Sequence, residues 1–365
     1  MTNLFIKLFS LFTFVLILTG CDKPNNPDFY DKYFNDIDFS GQVLIARKGE
    51  TIYQKSFGYA DMKTQRASQP NDTYLIGSVT KQFTGFCILL LEEKGRLSVT
   101  DPINKYYPDV PESWRSVTIH DLLTHSSGLP TFDDLENFSI QIPYKASDLL
   151  ADSSLREFPL FDPGKFRYSS IGYVLLGGIV EIAGGMDFCR FVRENILIPF
   201  NLTASGCITD TVSRPVTTLG YEKNENGSYT NLPYTYMTCA QGNSNFYSNL
   251  NNLLLWDGAI WSKKVLSEKG LKKWFTGHNE VLETSEYEEK GDLLGYGWFL
   301  TFEGDELIKA YHLGGVTGYK ASITRFPREE LVVITLSNVE DRYSNKIRLE
   351  FPKLVYKMEV TYGKD

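Results

Sequence analysis

The sequence is short of the residues from which metal and redox sites are built, with five cysteines and four histidines among 365 residues. No two cysteines form a Cys-x-x-Cys pair, so nothing supports a zinc knuckle or a thioredoxin-like site. His120, His125 and His278 also lack the spacing of a motif such as His-Glu-x-x-His. The pattern of these residues therefore indicates no metal site.

Positive charge is in deficit as well. Lys and Arg number 37 against 45 Asp and Glu, which gives a formal net charge of −8 at pH 7. A protein that binds nucleic acid neutralises phosphates with basic side chains, so we expect no nucleic-acid partner. Disorder is excluded, because a chain with 42% hydrophobic and 14% aromatic residues buries enough apolar surface to offset its conformational entropy.

The apolar run at residues 8–18 is too short to span a membrane, which takes about 20 residues. It follows Lys7 and has the length of a signal-peptide core, which predicts a leader over residues 1–20. The Leu-Thr-Gly before Cys21 resembles the bacterial lipobox, in which the cysteine thiol receives a diacylglyceryl group. The alternative is an ordinary signal peptide that happens to end at a cysteine.

Residues 22–28 are polar and broken by proline, which is typical of a tether. We therefore predict a lipidated cysteine and tether over residues 21–40. The protein is expected at the cell envelope, lipid-anchored outside the cytoplasm, on the periplasmic face or the cell surface. Its contact with the membrane would be made through the lipid.

The four remaining cysteines allow more than one interpretation. Cys87 and Cys189 lie in apolar, helix-like stretches and are most simply small core residues. An oxidising compartment would permit a bridge between Cys207 and Cys239. Whether those two are close enough to bond stays open at this point.

The order of the elements predicts an α+β fold. Residues 41–60 read as two strands that turn at Lys48-Gly49-Glu50, and the apolar spacing in residues 78–93 predicts a helix. Residues 97–291 are mostly helical in pattern, whereas the tail returns to strands and ends in an amphipathic segment at 344–358. Strands at both ends predict one antiparallel sheet built from both termini, with a helical lobe inserted between them.

The predicted domains are a leader, a tether and two lobes. Their bounds are 1–20 for the signal peptide, 21–40 for the tether, 41–96 plus 292–365 for the sheet-containing lobe, and 97–291 for the inserted helical lobe.

Ser78 and Lys81 form the single Ser-x-x-Lys pair of the chain. A serine hydroxyl needs a base within hydrogen-bond reach to act as a nucleophile. Residues three apart share one face of a helix, so the amine of Lys81 can point at the Ser78 oxygen. The alternative is a solvated lysine beside a helix-capping serine.

Tyr168-Ser169-Ser170 lies between a Pro-Gly turn and an apolar helical segment. A tyrosine phenol whose pKa is lowered by a nearby ammonium can relay a proton between nucleophile and leaving group. The more usual Tyr-x-Asn form occurs four times elsewhere in the chain, and only the context of Tyr168 favours it over those.

His312-Leu313-Gly314-Gly315 ends a predicted strand. Glycines there would let a substrate acyl group lie against the strand, and the N–H of Gly315 could pair with that of Ser78 as an oxyanion hole. A lone histidine at a strand end is otherwise most often a structural residue.

These segments together resemble the class C β-lactamase and DD-peptidase family of serine hydrolases. The similarity rests on Ser78-x-x-Lys81, PGKFRYSSIGYVLLG and HLGGVTGYKAS, with connecting segments such as TIHDLLTHSSGLP and GYGWFL in the family's order. It runs over about residues 41–338. The resemblance implies a β-lactamase/transpeptidase-like fold and no metal or organic cofactor.

Membership would assign a role to each motif residue. Ser78 would be the acylated nucleophile, and Lys81 with Tyr168 the proton-transfer pair. The N–H groups of Ser78 and Gly315 would hold the oxyanion, with Gly314 and Ser170 beside the substrate. His312 would contact Tyr168 and the polar end of the substrate.

Departures from the family pattern weaken the case for substrates that end in a free carboxylate, such as penicillins. Ser170 stands where the family more often has asparagine. His312 replaces a lysine that would be a fixed cation, whereas a histidine is expected to be only partly charged near pH 7. Leu313 removes a hydroxyl that usually helps to bind the carboxylate. Ser244-Asn245 also replaces a Gly-Gly pair, which would narrow the cleft.

The sequence thus predicts a serine hydrolase that forms an acyl-enzyme on an ester or a peptide-like amide. Esterase or D-amino-acid amidase/peptidase activity is favoured over penicillin hydrolysis, with a small-molecule or peptidoglycan-like substrate. The alternatives are a non-turnover penicillin-binding or peptidoglycan-sensing module, and an envelope scaffold that has lost its chemistry.

Overall fold

An eight-stranded antiparallel sheet organises the structure, a computed structural model that describes residues 27–135, 145–209, 215–235, 239–262, 265–282, 289–340 and 342–361. The strand order is β10-β11-β12-β13-β14-β15-β1-β2, so strands from both ends of the chain pair side by side. This confirms the predicted α+β fold with one antiparallel sheet. The bounds of the two lobes stay a prediction.

The strands are β1 Gly41–Arg47, β2 Glu50–Phe57, β3 Tyr59–Asp61, β4 Arg66–Ala67, β5 Tyr74–Leu75, β6 Gly206–Cys207, β7 Tyr221–Lys223, β8 Tyr229–Asn231, β9 Phe246–Ser248, β10 His278–Glu280, β11 Leu293–Gly295, β12 Trp298–Glu303, β13 Glu306–Val316, β14 Tyr319–Phe326, β15 Leu331–Ser337 and β16 Val339–Glu340. Three small sheets accompany the large one, with strand orders β5-β9-β6, β16-β7-β8 and β3-β4.

The helices are α1 Pro27–Asp36, α2 Thr80–Glu93, α3 Ile119–Leu123, α4 Ala146–Ala151, α5 Ser153–Glu157, α6 Ser170–Gly184, α7 Phe188–Val192, α8 Leu250–Trp261, α9 Glu268–Trp274 and α10 Arg342–Tyr356. A 3₁₀ turn at Gly77–Val79 leads into α2. π-Helical turns at Arg193–Leu197 and Lys357–Thr361 follow α7 and α10.

The large sheet is covered by helices on both faces, which explains why its central strands are almost entirely buried. Successive side chains of a strand point to opposite faces. Accordingly, Leu44 of β1 packs in the core that α2, α6 and α8 share, whereas Val43 packs in the core of α1 and α10. All residues of β14 and β15 are buried.

Helix α1 occupies part of the segment that the sequence predicted as a tether. Its Phe34 is fully buried, and the ring lies 4.6 Å from that of Phe351 and 5.1 Å from that of Phe57. Residues 27–36 are therefore folded against the sheet. The predicted leader and Cys21 lie outside the described residues.

The disulfide differs from both interpretations of the cysteines. Cys189 and Cys207 are bonded, with their Cα atoms 5.9 Å apart, whereas Cys239 and Cys87 are buried and form no disulfide. Cys189 is thus a bonded residue and no simple core residue. Sequence spacing could not show this, because the pairing depends on how α7 lies beside β6.

By length and hydropathy, no individual helix of the described ranges qualifies as a membrane span. Only Ser170–Gly184 taken together with Phe188–Leu197 passes that test, and this pair is bent by 73°.

Candidate active site

Ser78 lies in the 3₁₀ turn between β5 and α2. The sequence predicted that the helix would begin at Ser78, but α2 begins at Thr80 and the turn comes first. Gly77 has a φ of +51°, and a Cβ atom there would lie 2.7 Å from the nitrogen of Gly315. Position 77 therefore requires glycine, because of its positive φ and because no space is left for a side chain. As a result, the half-buried Ser78 lies next to β13.

Lys81 is one helical turn from Ser78 and is fully buried. Its Nζ donates to Ser78 Oγ at 2.9 Å, so the structure places the predicted pair within hydrogen-bond reach. Burial disfavours the charged amine and lowers the pKa of Lys81 well below its ordinary value. A lysine with a lowered pKa carries a larger neutral fraction near pH 7, as a general base requires.

Tyr168 lies beside this pair. The Lys81 amine is 5.0 Å from the centre of the Tyr168 ring and 5.4 Å from that of Tyr173. Tyr168 is positioned by the start of α6, where Ser169 is the N-cap and accepts from the Gly172 N–H at 3.2 Å. The structure therefore brings Tyr168 next to Lys81, from which it is far apart in the sequence.

His125, for which the sequence suggested no role, lies against the predicted proton relay. Its ring stacks on that of Tyr168 with the centres 4.3 Å apart, and its Nδ1 accepts from the Ser169 N–H at 3.0 Å. Burial, and then the Lys81 charge, lower the pKa of His125 well below its ordinary value, so the ring is neutral. The only signal in the sequence was its place in the family-like segment THSSGLP.

His312 lies on β13 and is buried, with Nδ1 2.7 Å from the carbonyl oxygen of Leu313. Burial lowers the pKa of His312 to about 3, and the Lys81 charge acts in the same direction. The sequence suggested a partly charged ring near pH 7, but this environment keeps it neutral. Its ring lies 5.4 Å from that of Phe299, and the predicted contact with Tyr168 stays a prediction.

Gly314 and Gly315 let β13 approach the nucleophile turn. A Cβ atom at Gly314 would lie 1.9 Å from the carbonyl oxygen of Ile76, which no side chain tolerates. Arg348 of α10 donates to the carbonyl oxygen of Gly314 at 2.8 Å and holds the strand from its other side. The backbone of Gly315 therefore lies next to Gly77, the residue before Ser78. An oxyanion hole formed by the N–H groups of Ser78 and Gly315 would require this proximity.

Two residues of the site differ from what the sequence suggested. The hydroxyl of Ser170, at the first position of α6, makes no hydrogen bond within the described part of the chain. Asn243 carries no motif that predicted a role, yet both of its oxygens accept from Lys81 Nζ: the backbone oxygen at 3.3 Å and Oδ1 at 2.5 Å. The signal was present, because Asn243 precedes the unusual Ser244-Asn245 pair.

A metal is not suggested by this geometry. Within the described ranges, no three His, Cys, Asp or Glu side chains come together as metal ligands would. The polar groups around the Lys81 amine are the Ser78 hydroxyl, the Asn243 carboxamide and the Tyr168 phenol, with two neutral imidazoles beside them. Such groups support nucleophilic and proton-transfer chemistry.

Among curated proteins, the chain is similar to penicillin-binding protein 4* of Bacillus subtilis. The two are 29% identical over 321 residues, which is 83% of this chain and 69% of the relative. A putative penicillin-binding protein, PbpX, of the same organism is 28% identical over 311 residues, or 85% of this chain and 73% of the relative.

Solved structures share the fold. The octameric penicillin-binding protein homologue from Pyrococcus abyssi has a TM-score of 0.75 and 26% identity, and the match covers 93% of this chain and 77% of that one. A D-amino acid amidase from Ochrobactrum anthropi SV3, complexed with L-phenylalanine amide, has a TM-score of 0.77 and 20% identity, covering 93% and 97%. The β-lactamase/transpeptidase-like fold is thereby confirmed.

The profile of the Beta-lactamase family matches residues 37–350, which is most of the chain. With the serine and the lysine at hydrogen-bonding distance in this fold, the chain belongs to the Beta-lactamase family and is a serine hydrolase of the β-lactamase and penicillin-binding protein type.

Proposed function

We propose that this chain turns over esters or peptide-like amides through an acyl-enzyme on Ser78, with simple esters or D-amino-acid amides favoured over penicillins. The observation that carries the proposal is the 2.9 Å hydrogen bond between Ser78 Oγ and an amine that burial holds at a low pKa. An inert scaffold gains no stability from burying a lysine with a lowered pKa beside a serine.

Acylation would proceed by attack of Ser78 Oγ on the carbonyl carbon while its proton passes to Lys81 Nζ. The negative charge that develops on the carbonyl oxygen would be held by the N–H groups of Ser78 and Gly315. Tyr168 would then deliver a proton to the leaving oxygen or nitrogen as its bond to carbon breaks, and it would regain a proton from Lys81. Water would then attack the acyl carbon in the place of the leaving group. The same steps in reverse would break the bond to Ser78 Oγ and return its proton.

Substrate preference is inferred from the two positions that would face a substrate carboxylate. His312 is neutral in its buried environment, and its Nδ1–H donates to the carbonyl oxygen of Leu313. The Leu313 side chain has no hydroxyl, so neither residue offers a fixed cation or an unused donor at these positions. This supports substrates whose recognised end is uncharged. The shared fold with a D-amino acid amidase agrees with an amide substrate, although at 20% identity that likeness concerns the fold alone.

A second candidate is a penicillin-binding module that is acylated without turning over. The names of the two Bacillus subtilis relatives favour it. This candidate differs from the first proposal only because its acyl-enzyme is not hydrolysed. A measurement of substrate turnover therefore distinguishes the two.

The test is intact-mass analysis after treatment with a fluorophosphonate, followed by assays on an ester, a D-aminoacyl amide and a penicillin. We expect one adduct on the wild type, none on Ser78→Ala, and steady turnover of the first two substrates. An adduct without turnover would favour the second candidate. Equal labelling of Ser78→Ala would overturn the nucleophile assignment.

We also propose that the protein is anchored at the cell envelope through a lipid on Cys21, which lies outside the described residues. The leader-like residues 1–20 support this. Incorporation of radiolabelled fatty acid into the wild type but not into Cys21→Ala is the expected result. Membrane association of the unlabelled Cys21→Ala protein would contradict it.

A further inference from the structure

The amine of Lys81 is held by a single residue from a distant loop. Asn243 accepts from Lys81 Nζ with both its backbone oxygen and its side-chain Oδ1, at 3.3 and 2.5 Å. We propose that Asn243 is a positioning residue, whose carboxamide turns the amine so that its lone pair faces Ser78. This inference rests on the proposed acyl-enzyme function and adds a residue to it.

Counting hydrogen-bond donors supports this role. A charged lysine has three N–H donors, which match the three acceptors Ser78 Oγ and the two oxygens of Asn243. A neutral amine has two N–H groups and one lone pair. If both N–H groups keep their hydrogen bonds to Asn243, the lone pair of the amine points toward the Ser78 hydroxyl and can accept its proton. Without Oδ1, the amine would be free to rotate away from this orientation.

Asn243 is itself held rigidly. It is fully buried, and its Nδ2 donates to Ser244 Oγ at 3.0 Å, which fixes the oxygen of the amide on the lysine side. The preceding Gly242 has a φ of +72°, and its carbonyl oxygen accepts from Thr84 Oγ1 of α2 at 2.7 Å. The loop is therefore hydrogen-bonded to the same helix that carries Lys81.

The carboxamide of Asn243 lies at a different position from Ser170, where the sequence departs from the family pattern. The third residue of the tyrosine motif offers a short hydroxyl where a carboxamide is more usual, and that hydroxyl makes no hydrogen bond among the described residues. The carboxamide that contacts the lysine comes instead from the loop before β9.

The electrostatic surroundings of Lys81 make the role measurable. The titratable groups that face the amine are Tyr168, Tyr173, His125 and His312, and both histidines have lowered pKa values. Burial is the cause of the lowered lysine pKa, with no carboxylate of the described residues acting on it. A carboxylate introduced at position 243 would therefore raise the pKa of Lys81 strongly.

The experiment measures the rate of fluorophosphonate labelling of Ser78 against pH by intact mass. In this reaction the Oγ–P bond forms, the P–F bond breaks with loss of fluoride, and the serine proton goes to Lys81. We expect Asn243→Ala to slow labelling roughly 10–100-fold, because a misplaced group costs that much. Asn243→Asp should move the rise of the rate to higher pH by about one unit or more, with partial recovery in alkaline solution.

Asn252→Asp is the matched control, since the same chemical change falls on a buried asparagine whose Oδ1 accepts from the Ala204 N–H at 2.7 Å. It should leave the pH profile unchanged. Labelling of Asn243→Ala within twofold of the wild type, or an unshifted profile in Asn243→Asp, would overturn the inference. If one variant does not fold, the other carries the test. An unlabelled wild type would overturn the proposed function, and this inference with it.

Discussion

Burial and contact, more than residue type, give the side chains of the site their properties. Lys81 is a base candidate because its amine is buried next to the Ser78 hydroxyl. His312 is neutral because the sheet and the helices that cover it shield its ring from water. The sequence named both residues as site candidates, but it suggested a partial charge for His312 and no role for His125. Neither burial nor stacking is visible in a linear motif.

Replacement of Tyr168 by phenylalanine removes the phenol next to Lys81 while keeping the ring that His125 stacks on. We expect Tyr168→Phe to lower kcat at least ~100-fold, which is what a general acid typically contributes. Steady-state kinetics on an ester substrate give the measurement. Tyr107→Phe, which loses a buried hydroxyl that donates to Leu175, is the control and should keep its kcat. A kcat for Tyr168→Phe within a few-fold of the wild type would remove the phenol from the mechanism.

Strand β13 and the 3₁₀ turn show how elements create a site that no single segment contains. The turn carries Ser78, and the strand carries Gly315 more than two hundred residues later. They meet because Gly77 and Gly314 have no side chains at the point of contact. The sequence predicted the strand, the helix and the glycine pair. It did not predict the 3₁₀ turn before the helix, because the helical periodicity runs through Ser78 without a break.

A methyl group at Gly314 would lie 1.9 Å from the Ile76 carbonyl oxygen, so Gly314→Ala must push β13 away from the turn. We expect labelling of Ser78 to fall roughly 100-fold, since displacement of about 1 Å costs that much. Gly258→Ala in α8 is the control, because a methyl group there meets nothing within 4 Å. If Gly314→Ala were labelled as fast as the control variant, close approach of the two elements would not matter for reactivity.

Across the molecule, buried titratable groups link folding to pH. His278 stacks on Tyr296, and burial lowers the pKa of His278 to about 4. Because the unfolded chain takes up a proton below the ordinary histidine pKa of about 6.5, this group reduces stability progressively as the pH falls from there toward 4. Asp257, whose pKa burial raises to about 6, acts in the opposite direction. The pH dependence of the free energy of unfolding is thus a sum over the buried titratable groups. Composition does not reveal it, because it does not show which groups are buried.

His278→Phe keeps an aromatic ring against Tyr296 and removes the titration. We expect the loss of unfolding free energy between pH 7 and pH 5 to be smaller in this variant than in the wild type. The difference should stay below about 1.4 kcal/mol per pH unit, because the ring is only half-buried and water screens it. Urea unfolding at the two pH values gives the comparison. Identical pH slopes would show that His278 titrates normally in the folded protein.

Local pattern was sufficient for everything that depends on neighbours along the chain: the hairpin at Lys48-Gly49, the apolar helices, the buried tail strands and the Ser-x-x-Lys pair. These follow from side-chain periodicity and turn chemistry, which act over a few residues. Other features are contacts between distant segments. They are the pairing of Cys189 with Cys207, the packing of α1 against the sheet, the stacking of His125 on Tyr168 and the hydrogen bonds between Asn243 and Lys81. They depend on how whole elements pack together, and only the tertiary structure reveals that packing.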